Sequence, residues 1–259
     1  MPSVQQLYEL WADDSQLRNA LKRSLEPRGL DSLYEAFAAL GPKPGDFVLD
    51  AGAAKAKHAI RLVQELGVRA IALEPLSVHR ELARTAIAEA GLTDEIELVE
   101  GSIESIPLAD DSVDWIWCRD VLVHVDAGPG LAELARVLRP GGALLAYVTL
   151  ATDRLEPRER ADLVDAIAIK TFDAEPLEQA ALDAGFTLRS VDRLGSEWRE
   201  RMTEDETWNA GEDLLEIARL HRGGFDGPEA DAAWGGLVWG VYQMLGKLSP
   251  TVYVWTCST

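Results

Sequence analysis

Cysteine is nearly absent from this sequence: Cys118 and Cys257 are the two it has in 259 residues. Two thiols cannot form a disulfide framework. Cys118 stands inside an apolar run, which predicts a buried free thiol in a reducing compartment. Cations are scarce as well. Lys and Arg number 25 against 44 Asp and Glu, a formal net charge of −19. No segment gathers the cations that a polyanion requires, so nucleic acid is not an expected partner. Long apolar runs are missing: none approaches the ~20 residues of a membrane-spanning helix. The opening MPSVQQLYELWADDS has neither the basic start nor the apolar centre of a secretory signal. No HxxxH or CxxC spacing occurs, so a metal site is not expected. These absences leave a soluble, cytoplasmic protein, and 47% hydrophobic residues suffice for a full-sized core.

What is present is alternation. Strand-like apolar runs stand at 46–51, 69–74, 95–100, 113–118 and 142–150, with helical patterns at about 57–66, 77–90 and 130–138. Short apolar runs separated by helices signal a parallel sheet covered on both faces. TLRSVDRL after Gly185 and TVYVWTC at 251–257 add two strands. The expected fold is α/β: a doubly wound, Rossmann-like, mostly parallel seven-stranded sheet with helical lid additions. Residues 1–45 form an N-terminal helical cap that the prolines and glycines of GPKPG bring to a stop. Residues 46–259 form the main domain, with helical insertions at about 151–170 and 200–247. The insertions are expected over the C-terminal edge of the sheet, where such sheets bind ligands.

The loop after the first strand reads LDAGAAKAKHAI over 49–60. Asp50 and Gly52 suit a loop that approaches a ligand, since glycine takes positive φ without strain. Glu74 ends the second strand, where a carboxylate can accept both hydrogen bonds of a ribose diol or stand as a solvated charge. A dinucleotide fingerprint GxGxxG counted from Gly52 would need glycine at Ala54 and Lys57, and fails at both.

Four segments together resemble the class I S-adenosylmethionine-dependent methyltransferases, above all the small-molecule branch of the ubiquinone-biosynthesis enzymes. They are FVLDAG (47–52), IALEP (71–75), VEGSIESIPLADDSVDWIWCRDVLVHV (99–125) and LAELARVLRPGGALLAYV (131–148). The resemblance implies S-adenosyl-L-methionine as cofactor, S-adenosyl-L-homocysteine as product and a small-molecule acceptor, aromatic or apolar. It implies that Asp50 and Gly52 hold the methionine part, that Glu74 binds the ribose hydroxyls, that Ser102 and Ile103 meet the adenine, and that Ala54 and Pro75 also belong to the cofactor site. Arg119 and Asp120 would line the floor near the reacting methyl, and Tyr8 and Trp11 would close over the cofactor. The family often has an acidic residue where Ser102 stands; Glu104 is displaced from that position. His124 is the candidate catalytic base, with a structural or substrate-contact role as its alternative.

The sequence departs from the family in motif I, where alanines 54 and 56 replace glycines. If both need left-handed geometry, each costs on the order of 1–2 kcal/mol; if Ala56 is already helical, little is lost. Lys55 and Lys57 are either solvated or a cation for the methionine carboxylate. His58 and His79 read as surface residues and His221 as a loop residue. Trp11, Trp198, Trp208, Trp234 and Trp239 are either packing residues or an acceptor pocket. The expected function is methyl transfer to O, N or C of a small acceptor. The alternative is a protein of this fold whose impaired loop binds ligand without methylating.

Overall fold

A computed structural model of the chain describes residues 3–12, 28–195, 198, 219, 223–224 and 227–257. The strands are β1 (Phe47–Ala51), β2 (Arg69–Glu74), β3 (Ile96–Glu100), β4 (Val113–Arg119), β5 (Leu138–Ala151), β6 (Phe186–Arg193) and β7 (Leu248–Cys257). The helices are α1 (Val4–Ala12), α2 (Asp31–Ala38), α3 (Lys57–Leu66), α4 (Ser77–Glu89), α5 (Ala127–Val137), α6 (Pro157–Ile167), α7 (Ala174–Asp183) and α8 (Pro228–Met244). Trp208 and His221 lie outside the described residues, as do residues 13–27 of the expected cap and much of the insertion expected at about 200–247.

The seven strands form one sheet in the order β3-β2-β1-β4-β5-β7-β6. β1 pairs in parallel with β2 and β4, β2 with β3, and β4 with β5. The sheet is mixed rather than wholly parallel: β7 runs antiparallel to both β5 and β6. The order reverses at β1 and β4, so the C-terminal ends of these two neighbours flank the switch point where open α/β sheets take ligands.

β1, β2 and β5 read as unbroken apolar runs because both faces of the sheet are covered. One face carries Leu49, Ile116, Cys118 and Leu144 beneath α5 residues such as Leu131 and Leu134. The other carries Val48, Trp117 and Leu145 beneath Leu33, Tyr34 and Phe37 of α2 and Leu62 of α3. Cys118 is fully buried, and burial pushes its thiol up to about 12, which leaves it inert as expected.

β5 begins four residues earlier than the pattern suggested. Val113 pairs with Leu138, but Trp115 pairs with Ala143, so the RPGG segment is taken up as an irregularity in the strand. A side chain at Gly142 would sit 2.5 Å from the Asp114 carbonyl oxygen, so that crossing requires glycine. In the added helices, α6 starts on a capping box between Glu156 and Glu159 with proline in its first turn. α6 and α8 pack on each other, and Leu163 and Val238 bury into the main core. No described helix is long and apolar enough to cross a membrane.

The N-terminal segment is tied to the sheet through α2, whose Phe37 meets Trp117 edge-on at 5.5 Å and is fully buried. Phe37→Ala is expected to lower stability by about 3–5 kcal/mol, read as a shift of the urea midpoint at unchanged slope.

Candidate functional site

The ends of β1, β2 and β4 and the loop after β3 meet at one edge of the sheet, and most of the candidate residues stand there. Asp50 is 1% exposed, and its carboxylate accepts the N–H of Ala59 at 3.0 Å. Ala59 lies in the first turn of α3, whose N-cap residue, Ala56, has no side chain to cap it. Asp50 therefore satisfies one of the orphan donors of that helix from nine residues upstream. Burial, with the Glu74 charge adding to it, pushes Asp50 up to about 7, against the Ala59 hydrogen bond and the attraction of Arg119.

Gly52 has φ +79°, and a Cβ there would stand 2.3 Å from Val121 Cγ2, so glycine is required twice over. The N–H groups of Gly52 and Ala53 both donate to the Leu73 carbonyl. Glu74 is buried, and its two carboxylate oxygens accept the N–H of Ala54 at 2.8 Å and of Leu76 at 2.9 Å. The loop after β1 is thus fastened to the end of β2. A carboxylate has about four acceptor positions, so Glu74 retains capacity for a diol. Pro75 is exposed, and its carbonyl accepts from Arg80.

The alanines resolve as left-handed residues. Ala54 has φ 45° and Ala56 φ 56°. Ala56 is therefore not helical, and of the two readings of this loop the strained one holds. Lys55 and Lys57 are both exposed.

Ser102 and Ser105 form an isolated bridge, and Ile103 is buried in the room left by Gly130. The Glu104 carboxylate accepts the Asp126 N–H at 3.2 Å. Asp120 has φ 53° and accepts from Thr149 Oγ1. His124 is exposed in the turn before α5, with its N–H on the Val121 carbonyl. Tyr8 is 65% exposed, so the structure does not show it closing over the site, and the Trp11 side chain lies outside what is described.

The largest correction concerns His58. It is half-buried rather than a solvated surface residue. Its Nδ1 lies 2.5 Å from the Tyr34 hydroxyl and its Nε2 3.3 Å from a guanidinium nitrogen of Arg119. Its ring lies against Trp117 at 5.4 Å, and Tyr34 stacks on the same indole at 4.8 Å. Arg119 carries only donors, so Nε2 must be the lone-pair nitrogen, and the ring proton belongs on Nδ1, donated to Tyr34. Protonating Nε2 would aim two donors at each other. Burial, with the Arg119, Arg61 and Lys57 charges, accordingly pushes His58 down to about 3. Sequence reasoning missed Tyr34, His58 and Trp117 as a group. Tyr34 was visible on the apolar stripe of α2, but nothing in the spacing paired it with a histidine 24 residues on. His79 does stand part-exposed, with Nδ1 3.4 Å from Glu74.

Of the tryptophans, Trp198 is buried with its ring 5.5 Å from that of Tyr147. Trp239 lies 6.5 Å from Phe172, and Trp234 packs on the main core. The Arg119 guanidinium lies 5.3 Å from the Tyr147 ring.

Residues 49–146 match the family described as the methyltransferase domain. A dimethylglycine N-methyltransferase from Parasynechococcus marenigrum (strain WH8102) is 30% identical over 178 residues, covering 63% of this chain and 63% of the relative. A glycine/sarcosine/dimethylglycine N-methyltransferase from Actinopolyspora halophila is 27% identical over 153 residues, covering 59% and 26%. The chain thus spans less than two thirds of the length of these relatives. The solved structure assigned to a sarcosine dimethylglycine methyltransferase from Galdieria sulphuraria superposes with a TM-score of 0.71 at 24% identity, over 93% of this chain and 88% of that one. The geranyl diphosphate C-methyltransferase from Streptomyces coelicolor A3(2), solved with Mg2+, geranyl diphosphate and S-adenosyl-L-homocysteine, gives 0.63 at 12% identity, over 87% and 79%. The fold is that of the class I methyltransferases.

Two predictions follow from the strained loop and the buried ionisable groups. Ala54→Gly is expected to raise stability by about 0.5–1 kcal/mol, the relief of left-handed strain less the added freedom of the unfolded chain. Ala56→Gly gains less, because it also removes a fully buried methyl; urea titration of both checks this. The pH dependence has two opposed parts. The unfolded chain protonates His58 near 6.5 and the folded one only near 3, so stability falls as pH drops across that window. Asp50 ionises near 3.8 unfolded and near 7 folded, so its contribution is full below 3.8 and is lost as pH rises through 7. In stability-against-pH curves, His58→Gln should flatten the acid limb, and Asp50→Asn should flatten the fall toward pH 7.

Proposed function

We propose that this chain, which carries a methyltransferase domain at residues 49–146, moves a methyl group from S-adenosyl-L-methionine to O, N or C of a small organic acceptor. The observation that supports this most is the loop after β1. Its backbone holds left-handed geometry at Gly52, Ala54 and Ala56, and it lies between two buried carboxylates, Asp50 and Glu74. Backbone strain held in place by its surroundings in this way is a pointer to a functional site.

The residues present fit the cofactor. Glu74 has acceptor capacity for the ribose hydroxyls, with Pro75 beside it. Gly52, pressed on Val121, leaves no side chain between loop and ligand. Ser102 and Ile103 offer a polar and an apolar surface for the adenine, and Asp50, Ala54 and Arg119 lie on the methionine side. Among the described residues, the buried Trp117 Nε1 has no hydrogen-bond partner beneath this site. When bound, the cofactor supplies an electrophilic methyl on a sulfonium, so the protein's task is to bind, orient and exclude water. We assign His124 as the base that takes a proton from the acceptor, since it stands in the turn that follows the floor residues Arg119 and Asp120.

The helical cap (1–45) and the insertions at about 151–170 and 200–247 would form a lid, with Tyr8 and Trp11 closing from α1. The relatives named for methylating dimethylglycine and sarcosine support an acceptor of small size. A net charge of −19 weighs against nucleic acid. One observation favours a second reading, ligand binding without methylation: alanines 54 and 56 hold left-handed geometry where the resembled family carries glycines.

The test is calorimetric titration with S-adenosyl-L-methionine and S-adenosyl-L-homocysteine, beside the Ala54→Gly, Ala56→Gly double variant. A Kd of about 1–100 µM for the natural sequence is expected, followed by a methyl-mass increase on an acceptor drawn from amines, sterols and prenyl diphosphates. Binding restored only by the glycines would favour the second reading, and binding by neither protein would overturn both.

A further inference from the structure

We propose that Arg80 is a positioning residue: its guanidinium bridges the ends of β2 and β3 and so fixes the spacing between Glu74, the carboxylate proposed for the ribose, and the loop proposed for the adenine at Ser102 and Ile103. The inference rests on the cofactor reading above and deepens it, because recognition of the adenosine half then depends on a residue that acts through the backbone.

The two strands leave the sheet side by side. Their ladder ends at the Glu74–Glu100 pair, beyond which β2 runs into α4 and β3 into the turn that holds Ser102 and Ser105. Arg80 stands near the start of α4 and reaches back across this end. Its Nη1 donates to the Glu74 carbonyl at 3.1 Å and to the Pro75 carbonyl at 2.5 Å. Its Nη2 lies 2.8 Å from the Glu100 carboxylate. The Arg80 side chain is 14% exposed, so these contacts are made largely out of water, where they hold more strongly. A planar guanidinium can meet all three acceptors at once, which a single ammonium cannot do in the same fixed geometry.

Two further observations leave this edge little play. A Cβ at Gly101, the first residue after β3, would stand 2.9 Å from Leu73 Cδ1 and 2.8 Å from Pro107 Cδ, so the exit of β3 lies directly against β2. The Glu74 carboxylate is itself held from α4: one oxygen accepts the Leu76 N–H at 2.9 Å, and His79 Nδ1 lies 3.4 Å from that oxygen. The start of α4 thus holds Glu74 by its main chain and by its side chain. A ribose and its base are joined by one bond, so the groups that meet them must stand at a set separation. Ordering that separation before the ligand arrives removes a cost that would otherwise fall on binding.

The test is calorimetric binding of S-adenosyl-L-homocysteine and its 2′-deoxy analogue to the natural protein, Arg80→Gln and Glu100→Gln, with thermal midpoints measured alongside. In the natural protein, loss of the hydroxyl should weaken binding about tenfold, the worth of a hydrogen bond to a carboxylate. In Arg80→Gln the parent ligand should bind about tenfold more weakly and the penalty for the missing hydroxyl should fall below about threefold, because Glu74 is no longer held in place. A merely structural arginine would lower the midpoint and weaken both ligands alike, leaving that penalty unchanged. Glu100→Gln, at a carboxylate that is 73% exposed, should leave the midpoint where it is yet weaken both ligands about threefold through the β3 side. If Arg80→Gln is folded and keeps the tenfold penalty, or if Glu100→Gln binds both ligands as tightly as the natural protein, the inference fails and the cofactor reading stands. Should Arg80→Gln not fold, Glu100→Gln decides by the same criterion. A natural protein that binds both ligands equally also overturns the inference, and one that binds neither overturns the cofactor reading itself.

Discussion

Two carboxylates buried at neighbouring strand ends govern this site. Asp50 reaches forward to the first turn of α3, and Glu74 reaches back to the loop that leads into it. A buried carboxylate is costly unless hydrogen-bonded, and each of these is bonded to backbone N–H groups that otherwise lack acceptors. The loop between β1 and α3 can therefore follow only a narrow path. That path runs through positive φ at Gly52, Ala54 and Ala56, and the strain at the alanines is sustained because both ends of the loop are tied down.

The same edge contains a second constraint, of charge rather than shape. Arg119 cannot accept a hydrogen bond and Tyr34 is fixed by its stack on Trp117, so the histidine between them has one protonation state and one tautomer. Asp50 and His58, a few residues apart in sequence, are displaced in opposite directions for the same primary reason. Burial disfavours the charged form, and for a carboxyl that means a higher pKa and for an imidazole a lower one.

Part of the candidate site was legible because the ends of parallel strands converge whatever the details of packing. Asp50, Gly52 and Glu74 could be placed at one edge from strand position, whereas Ser102 and Arg119 were singled out by the resemblance. His58 was reached by neither. Its position in the helix after β1 suggests a solvent-facing turn, and the partner that buries it comes from α2, on the far side of a segment rich in proline and glycine. Ala56 was ambiguous for a related reason: alanine favours the helix locally, and only the tether from Asp50 to Ala59 sets where α3 starts.

The sequence by itself determined the alternation of strands and helices, the buried Cys118 and the edge of the sheet on which a ligand would sit. Each follows from periodicity and composition, which report how a residue meets its immediate neighbours. The tertiary structure decided the antiparallel run of β7, the irregularity at 139–142 in β5, the left-handed alanines and the meeting of His58 with Tyr34 and Arg119. These depend on groups brought together from distant parts of the chain, where a hydrogen bond or a close approach overrides local preference, and no local pattern records such a meeting.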